Sequence, residues 1–433
     1  MNSILSPSRI ILLTGLFLTL VTANINWGGN RWKSIIENDA QAYYAYLPAV
    51  FIYHDLNFGF FETVEKEYFP DTWFDYRNAI GNVKVNKYYC GTALAQLPFF
   101  LTVHMFCSGD GSNGWGKPYM IMISLAAIVW LLIGLFFLSK LLRLYNIHDA
   151  IISVVILLEV FGTHLFYYTI GEPGMSHVYS FAFIAMFLYF GKRLFIKPSE
   201  ASTYILLALC LAFTIIIRPV NGLVVLSLPF LAGSSQALVK TTLDFLKKPS
   251  TIVLSAVIFL FVVCIQLIIY KIASGSFFIY TYANEGFNFF QPHFLAILFS
   301  YKKGLFLYTP LLLISLSGFY ILWKKNRFEL FSLLFFLIVL NFVLSSWWMW
   351  WYGGSFSSRV YVEFIPVFMV LLGIFINSIE KPAAKRLFIT FALLVAMLCQ
   401  IQTYQYRKGT IHWDSMTKEL YWQRILEAGR LFR

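Results

Sequence analysis

Charged side chains are scarce. Asp, Glu, Lys and Arg make up only 12% of the 433 residues while hydrophobic residues make up 59%, and soluble domains carry roughly a quarter charged residues. The shortage excludes an ordinary soluble enzyme and leaves little room for an independent soluble domain. Cysteine is also rare: there are five, and Cys210, Cys264 and Cys399 fall inside apolar runs. An odd number so placed excludes a disulfide framework, and only Cys90 and Cys107 are positioned to pair. Acidic residues are in deficit, 21 against 33 basic ones, for a net charge of +12. In a soluble chain that excess would point to nucleic acid. Here it falls in short loops between apolar runs, so it encodes membrane topology and no nucleic-acid partner is expected.

What the sequence has in abundance is apolar length. A helix needs about 20 mostly apolar residues to cross the hydrocarbon core. Eleven runs meet that need, near residues 9–25, 118–139, 150–170, 175–195, 202–217, 219–233, 250–272, 304–323, 328–346, 360–378 and 385–403. The expected fold is all-α and polytopic, with about eleven transmembrane helices plus juxtamembrane helices in the first outer loop. A twelfth run, 91–107, is shorter and contains Gln96, Pro98 and His104. If it does not cross, the loops bearing Lys140 and Arg143, Lys192, Arg193 and Lys197, Lys240, Lys247 and Lys248, Lys324, Lys325 and Arg327, and Lys381, Lys385 and Arg386 share one side. Basic short loops mark the cytoplasm, so 91–107 reads as a juxtamembrane or re-entrant helix. The first run also admits reading as a cleaved signal peptide ending at Val21-Thr22-Ala23; the following loop is outside either way. The expected organisation is an integral domain over 1–404 in the cytoplasmic membrane, with an outer loop at 26–117, and an interfacial tail at 405–433 over the outer mouth.

With this topology the polar residues of chemical interest gather on the outer face. Asp39, His54, Lys87, Glu172, His177, Arg218, Glu285 and Arg359 all lie at or near it. Residues 37–48 begin with Glu37 and Asp39 and continue with Tyr43, Tyr46 and Leu47 at helical spacing. One reading is an interfacial helix burying Tyr43, Tyr46, Leu47 and Val50 in the lipid boundary; the other is a plain helix cap by Asn38 or Asp39. Lys87 either holds a phosphate or snorkels to headgroups. Glu172 and His177 flank a turn at membrane depth, where ionisable groups are functional candidates by default. The alternative is an ordinary turn with a lone histidine. Arg218, before Pro219, either binds an anion or caps a helix. The run Trp347 to Arg359 carries four Trp, two Gly and an Arg. Such a run suits an aromatic membrane belt, or a site where indoles stack on a sugar and a guanidinium grips a phosphate.

The order of these pieces resembles the polytopic GT-C glycosyltransferases, specifically the protein O-mannosyltransferase and aminoarabinose-transferase-like branch. Asp39 with Tyr43 matches the family's first-loop acidic motif, and Lys87 to Pro98 its Lys-led motif. Arg218-Pro219-Val220-Asn221 looks like its Arg-Pro signature, and Gly353 to Arg359 is similar to the Gly-Gly-x-Ser-Phe-Gly-x-Arg pattern of bacterial members. The chain departs in having Ala40 where the family carries a second acid, and Tyr88-Tyr89-Cys90-Gly91 where it continues into Pro-Pro. The resemblance implies inverting transfer of a sugar from a polyprenyl-phosphate donor to a glycan, lipid or protein acceptor on the outer face, amid membrane lipids. Asp39 is the expected general base, with a pKa raised by burial among aromatics. Lys87, Arg218 and Arg359 are expected to hold the leaving phosphate. Glu172, His177, Tyr43, Trp350, Trp351, Tyr352 and Glu285 are expected to bind sugar or acceptor. No metal is assigned, although Glu37 and Asp39 leave a shared divalent cation open. A transporter or flippase for a polyprenyl-linked saccharide is the rival reading, weakened by the lack of a duplicated half and by residues clustered on one face. A non-catalytic envelope scaffold is a third.

Overall fold

The structure, a computed structural model, describes residues 6–70, 74–107 and 112–426. It is nearly all-α. Among the described residues the sheet content is one antiparallel hairpin, Arg77–Ile80 against Val83–Asn86, in the first loop.

Among the described residues seven helices are long and apolar enough to cross a membrane: Pro7–Asn26, Lys117–Leu144, Ser176–Ile196, Pro249–Ser274, Arg327–Ser345, Arg359–Ser378 and Pro382–Arg407. Proline stands in the first turn of four of them, as Pro7, Pro118, Pro249 and Pro382. Its missing N–H is harmless there because first-turn amides have no intrahelical partner. Arg359–Ser378 is the most enclosed, 83% buried, whereas Pro249–Ser274 is 17% buried and keeps most of its surface free for lipid.

The eleven expected crossings therefore become seven uninterrupted helices, and the other four runs are short or broken. The run 150–170 divides at Gly162 into Asp149–Phe161 and Leu165–Ile170. The run 202–217 is the 17-residue helix Ala201–Ile217, which Pro219 ends by holding Arg218 in extended backbone (φ −151, ψ 112). The run 219–233 is a 3-10 helix, Pro219–Ser227, continued by Leu228–Ala232. The chain then bends by 117° into Ser235–Leu246. The run 304–323 is cut into Leu305–Tyr308, Pro310–Ser315 and Gly318–Lys325. Apolar content did not forecast these breaks because irregular backbone is tolerated at membrane depth where it faces protein or a cavity. Pro219 to Leu226 does line a cavity.

The helix Gly91–Phe106 has 16 residues, about 24 Å at 1.5 Å per residue. At its far end the His104 Nδ1 lies 2.8 Å from the Tyr119 hydroxyl, in the first turn of Lys117–Leu144. Cys90 and Cys107 sit at opposite ends of this helix and are free thiols. A bridge between them, which the sequence left open, is therefore ruled out by helix length. The basic loops meet one another at the other end: Lys192 lies over the Tyr145 ring and 3.7 Å from Glu329, and Lys248 donates to the Pro198 carbonyl.

The first-loop helix Asp39–Phe51 does not lie in the lipid boundary. Tyr43, Tyr46 and Leu47 are buried inside the protein, and Val50 alone of the expected apolar set is exposed. The helix packs on Gly91–Phe106, which in turn approaches the end of Ala201–Ile217. A Cβ added at Gly91 would stand 2.4 Å from the backbone of Ile216 and Ile217. We expect Gly91→Ala to force these elements apart at a cost of about 1–3 kcal/mol, typical of overpacking. A lowered thermal midpoint of the purified protein would show it; a wild-type midpoint would contradict the close approach.

Candidate active site

Proline, glycine and helix ends bring distant segments of the chain together around a cavity of about 1390 Å³. Asp39, the first residue of its helix, is placed by Asn38, which takes a left-handed backbone (φ 52) and makes no side-chain cap. The Asp39 carboxylate is likewise not spent on capping. Its Oδ2 accepts from Arg359 Nη2 at 2.9 Å, and its Oδ1 accepts from the Tyr88 hydroxyl at 2.6 Å. Arg359 reaches this point because it begins the enclosed span just after the turn Tyr352 to Ser358, where Tyr352, Gly353 and Ser357 have positive φ. Gly354 is required for packing: a Cβ there would meet the Trp413 ring at 2.8 Å.

The other expected cations are also held by carboxylates. Lys87 Nζ lies 2.6 Å from Glu285 Oε1 and near the rings of Tyr88 and Tyr282, so it does not snorkel. Arg218 Nη1 lies 3.0 Å from Oε1 of Glu363, a residue that is fully buried. The same oxygen lies 3.0 Å from His177 Nδ1 and 3.4 Å from Asn221 Nδ2. Glu172, in the turn before Ser176–Ile196, accepts from the Tyr167 hydroxyl at 3.0 Å through Oε1.

Of the residues expected from sequence, Asp39, Tyr43, Lys87, Glu172, His177, Arg218, Glu285, Trp351, Tyr352 and Arg359 all line the cavity. Trp350 does not; it turns away to stack on His293, with ring centroids 5.3 Å apart. Sequence reasoning missed Glu363, although a carboxylate inside an apolar run is a default functional candidate. It also missed Tyr88 and Tyr282. The tail contributes as well. Trp413 and Asp414 line the cavity, and Asp414 Oδ1 accepts from Trp351 Nε1 at 2.9 Å. Buried Lys303 donates to the main-chain carbonyls of Ser355 and Trp413. Beyond these contacts the tail forms the helix Lys418–Leu426, with Tyr421 buried. The last part of the expected tail, 427–433, lies outside the described residues.

Electrostatics correct one expectation. Burial pushes the Asp39 carboxyl up, but the Arg359 guanidinium, the Tyr88 hydroxyl and Lys87 together outweigh it and hold the group below its ordinary range. The raised value appears instead at Glu172, where burial lifts the carboxyl to about 7 despite the neighbouring Arg359. Both Asp39 oxygens are engaged, Glu37 is exposed at the rim, and the adjacent position is Ala40. Among the described residues no three His, Cys, Asp or Glu side chains gather in a metal-binding group.

No protein-family model matches the chain, and no curated protein matches its sequence. Among solved structures it is similar to the oligosaccharyltransferase of Archaeoglobus fulgidus. In the complex with Zn and sulfate the TM-score is 0.47 at 12% identity, covering 95% of this chain and 54% of that one. In the apo form the TM-score is 0.46 at 12% identity, covering 95% and 57%. The chain thus spans little more than half the length of that protein, and the functional reading rests on the cavity's own residues.

The Asp39–Arg359 pair is enclosed enough for the loss of either partner to strand the other; each side chain is 17% exposed. In a double-mutant cycle with Asp39→Asn and Arg359→Gln, we expect a coupling of about 0.5–3 kcal/mol in stability, the range for contacting residues. Additive effects by chemical unfolding would mean that the pair is not formed.

Proposed function

We propose that this chain is a membrane-embedded glycosyltransferase. It moves a sugar from a polyprenyl-phosphate donor to a hydroxyl of a protein, lipid or polysaccharide acceptor, with inversion, at the outer face of the cytoplasmic membrane. One observation carries the reading: a carboxylate from the first loop and a guanidinium 320 residues later pair across a cavity that also holds Lys87 and Arg218. Such an array suits a reaction that develops negative charge on a leaving phosphate, because cations already held in place stabilise that charge without reorganising. Arginine adds two-point recognition of phosphate oxygens.

In this mechanism the donor phosphate enters among Arg359, Arg218 and Lys87 and is met by the N–H groups that their carboxylate partners do not occupy. The acceptor oxygen attacks the anomeric carbon from the face opposite the phosphate, so the sugar is transferred in one displacement and its configuration inverts. Asp39 is ionised at neutral pH because of Arg359. It fixes that guanidinium and supplies negative charge beside the incoming hydroxyl. Tyr43, Tyr88, Tyr282 and Trp351 offer flat surfaces for the sugar or the first isoprene units. The basic loops gathered at the opposite end support a cytoplasmic assignment for that end by the positive-inside rule.

The test is release of labelled sugar from undecaprenyl-phosphate hexoses and pentoses by the purified protein. Transfer to an acceptor supports the enzyme, whereas movement of intact carrier across a vesicle without cleavage supports the flippase instead. Asp39→Asn should lower transfer by about 10²–10³-fold, the usual effect of removing one charge-stabilising contact, with donor still bound. Arg218→Ala should weaken donor retention more than acceptor binding, and the reverse pattern would remove Arg218 from the phosphate. For the face, a cysteine at Gly29 should react with an impermeant maleimide from outside the cell and one at Lys385 should not; the opposite labelling would invert the topology.

A further inference from the structure

The cavity contains five described carboxylates, and their partners divide them. Asp39 is paired with Arg359, Glu285 with Lys87, and Asp414 lies 4.0 Å from Lys302. Among the described residues Glu37 and Glu172 are in no ion pair, and Glu37 is exposed at the rim. Of these two Glu172 is half-buried in the wall, held on one oxygen by Tyr167 and, among the described residues, with no hydrogen bond to the other. A base must present a free oxygen to the proton it takes. Asp39 already accepts on both oxygens, from Tyr88 and from Arg359, whereas Glu172 accepts on one.

We propose that Glu172 is the group that takes the proton of the acceptor hydroxyl, with Tyr167 as its positioning residue and Asp39 as the fixed anion that orients Arg359. The inference rests on the glycosyl-transfer reading and moves the base from the residue that the sequence favours. The acceptor oxygen forms its bond to the anomeric carbon as the carbon–phosphate oxygen bond breaks. The electron pair leaves with the polyprenyl phosphate, the acceptor proton passes to the Glu172 carboxylate, and water removes it before the next turnover. Two carboxyl groups in one cavity whose environments separate their acidities mark a division of acid–base roles. Asp39 is held low by its cation and is a weak base; Glu172 is raised by burial to about 7, close to the working pH.

The sign of the pH dependence follows. Glu172 is protonated below about 7 and charged above it, so transfer by the wild type should rise through neutral pH. Arg359 opposes the upward shift, and Asp39 and Glu37 add to it. Tyr168, Tyr406 and Lys303 also lie within its field. Of these, Lys303 is lowered by its own burial to about 7 and titrates in the same range, so a variant must assign the step.

The experiment uses the full chain in detergent or nanodiscs with labelled undecaprenyl-phosphate hexoses and pentoses, measuring donor binding and transfer across pH. We expect Glu172→Gln to bind donor as the wild type does, to transfer about 10²-fold more slowly or worse, and to lose the rise through pH 7. Glu172→Asp should recover part of the rate. For Glu172→Ala, azide should restore sugar release as the glycosyl azide, since that nucleophile has no proton to give up; a residue with only a structural role would not be bypassed in this way. A Glu172→Gln variant with the wild-type rate or the wild-type rise overturns the assignment and leaves glycosyl transfer standing. A wild-type protein that releases sugar from no carrier overturns the reading beneath it, and this inference with it.

Discussion

The site depends on holding three cations in a largely apolar surround without letting any of them stand alone. An unpaired charge there is costly, and removing one partner of an enclosed pair is worse than never having had the pair. Arg359, Lys87 and Arg218 are each matched by a carboxylate from a distant part of the chain, Asp39, Glu285 and Glu363. Each match pins one segment of the cavity wall to another. The pairs therefore act as structural ties, and the N–H groups they leave unoccupied form the anion receptor. Glu172 stands apart from this scheme because, among the described residues, it is in no ion pair, although Arg359 lies within its field.

The backbone around the cavity is arranged to deliver these side chains. Pro219 ends one helix so that Arg218 leaves it in extended form. The left-handed turn before Arg359 drops the guanidinium toward the first loop. The 3-10 stretch Pro219–Ser227, with Asn221 against Glu363 and Ser180, would be poorly satisfied facing lipid and is satisfied here by protein. The irregular elements thus cost little where they are, and they shape the cavity. Straight spans such as Pro249–Ser274 remain outside it as scaffold.

Much of the site was legible in the sequence. Asp39, Lys87, Glu172, His177, Arg218 and Arg359 stand out because ionisable residues are rare in so apolar a chain, and each of them faces the cavity. The partners were harder to read. Glu363 stands between Val360-Tyr361-Val362 and Phe364-Ile365, so it reads as part of a span until Arg218 and His177 are seen on it. The acidity of Asp39 was misread for the same reason. Burial among aromatics is visible in the sequence, but the guanidinium that reverses its effect comes from 320 residues away.

The sequence alone settled that this is a helical membrane protein with basic loops gathered on one side, because hydropathy and charge are local properties that the bilayer reads residue by residue. Which apolar runs stay whole was decided by tertiary structure, since a break at Gly162, Pro219 or Thr309–Pro310 is tolerable only where neighbouring protein satisfies the freed backbone. Tertiary structure alone also decided which carboxylate is free. Asp39 and Glu172 are chemically similar acids in the sequence, and it is the long-range placement of Arg359 on one of them, and not on the other, that sets them apart.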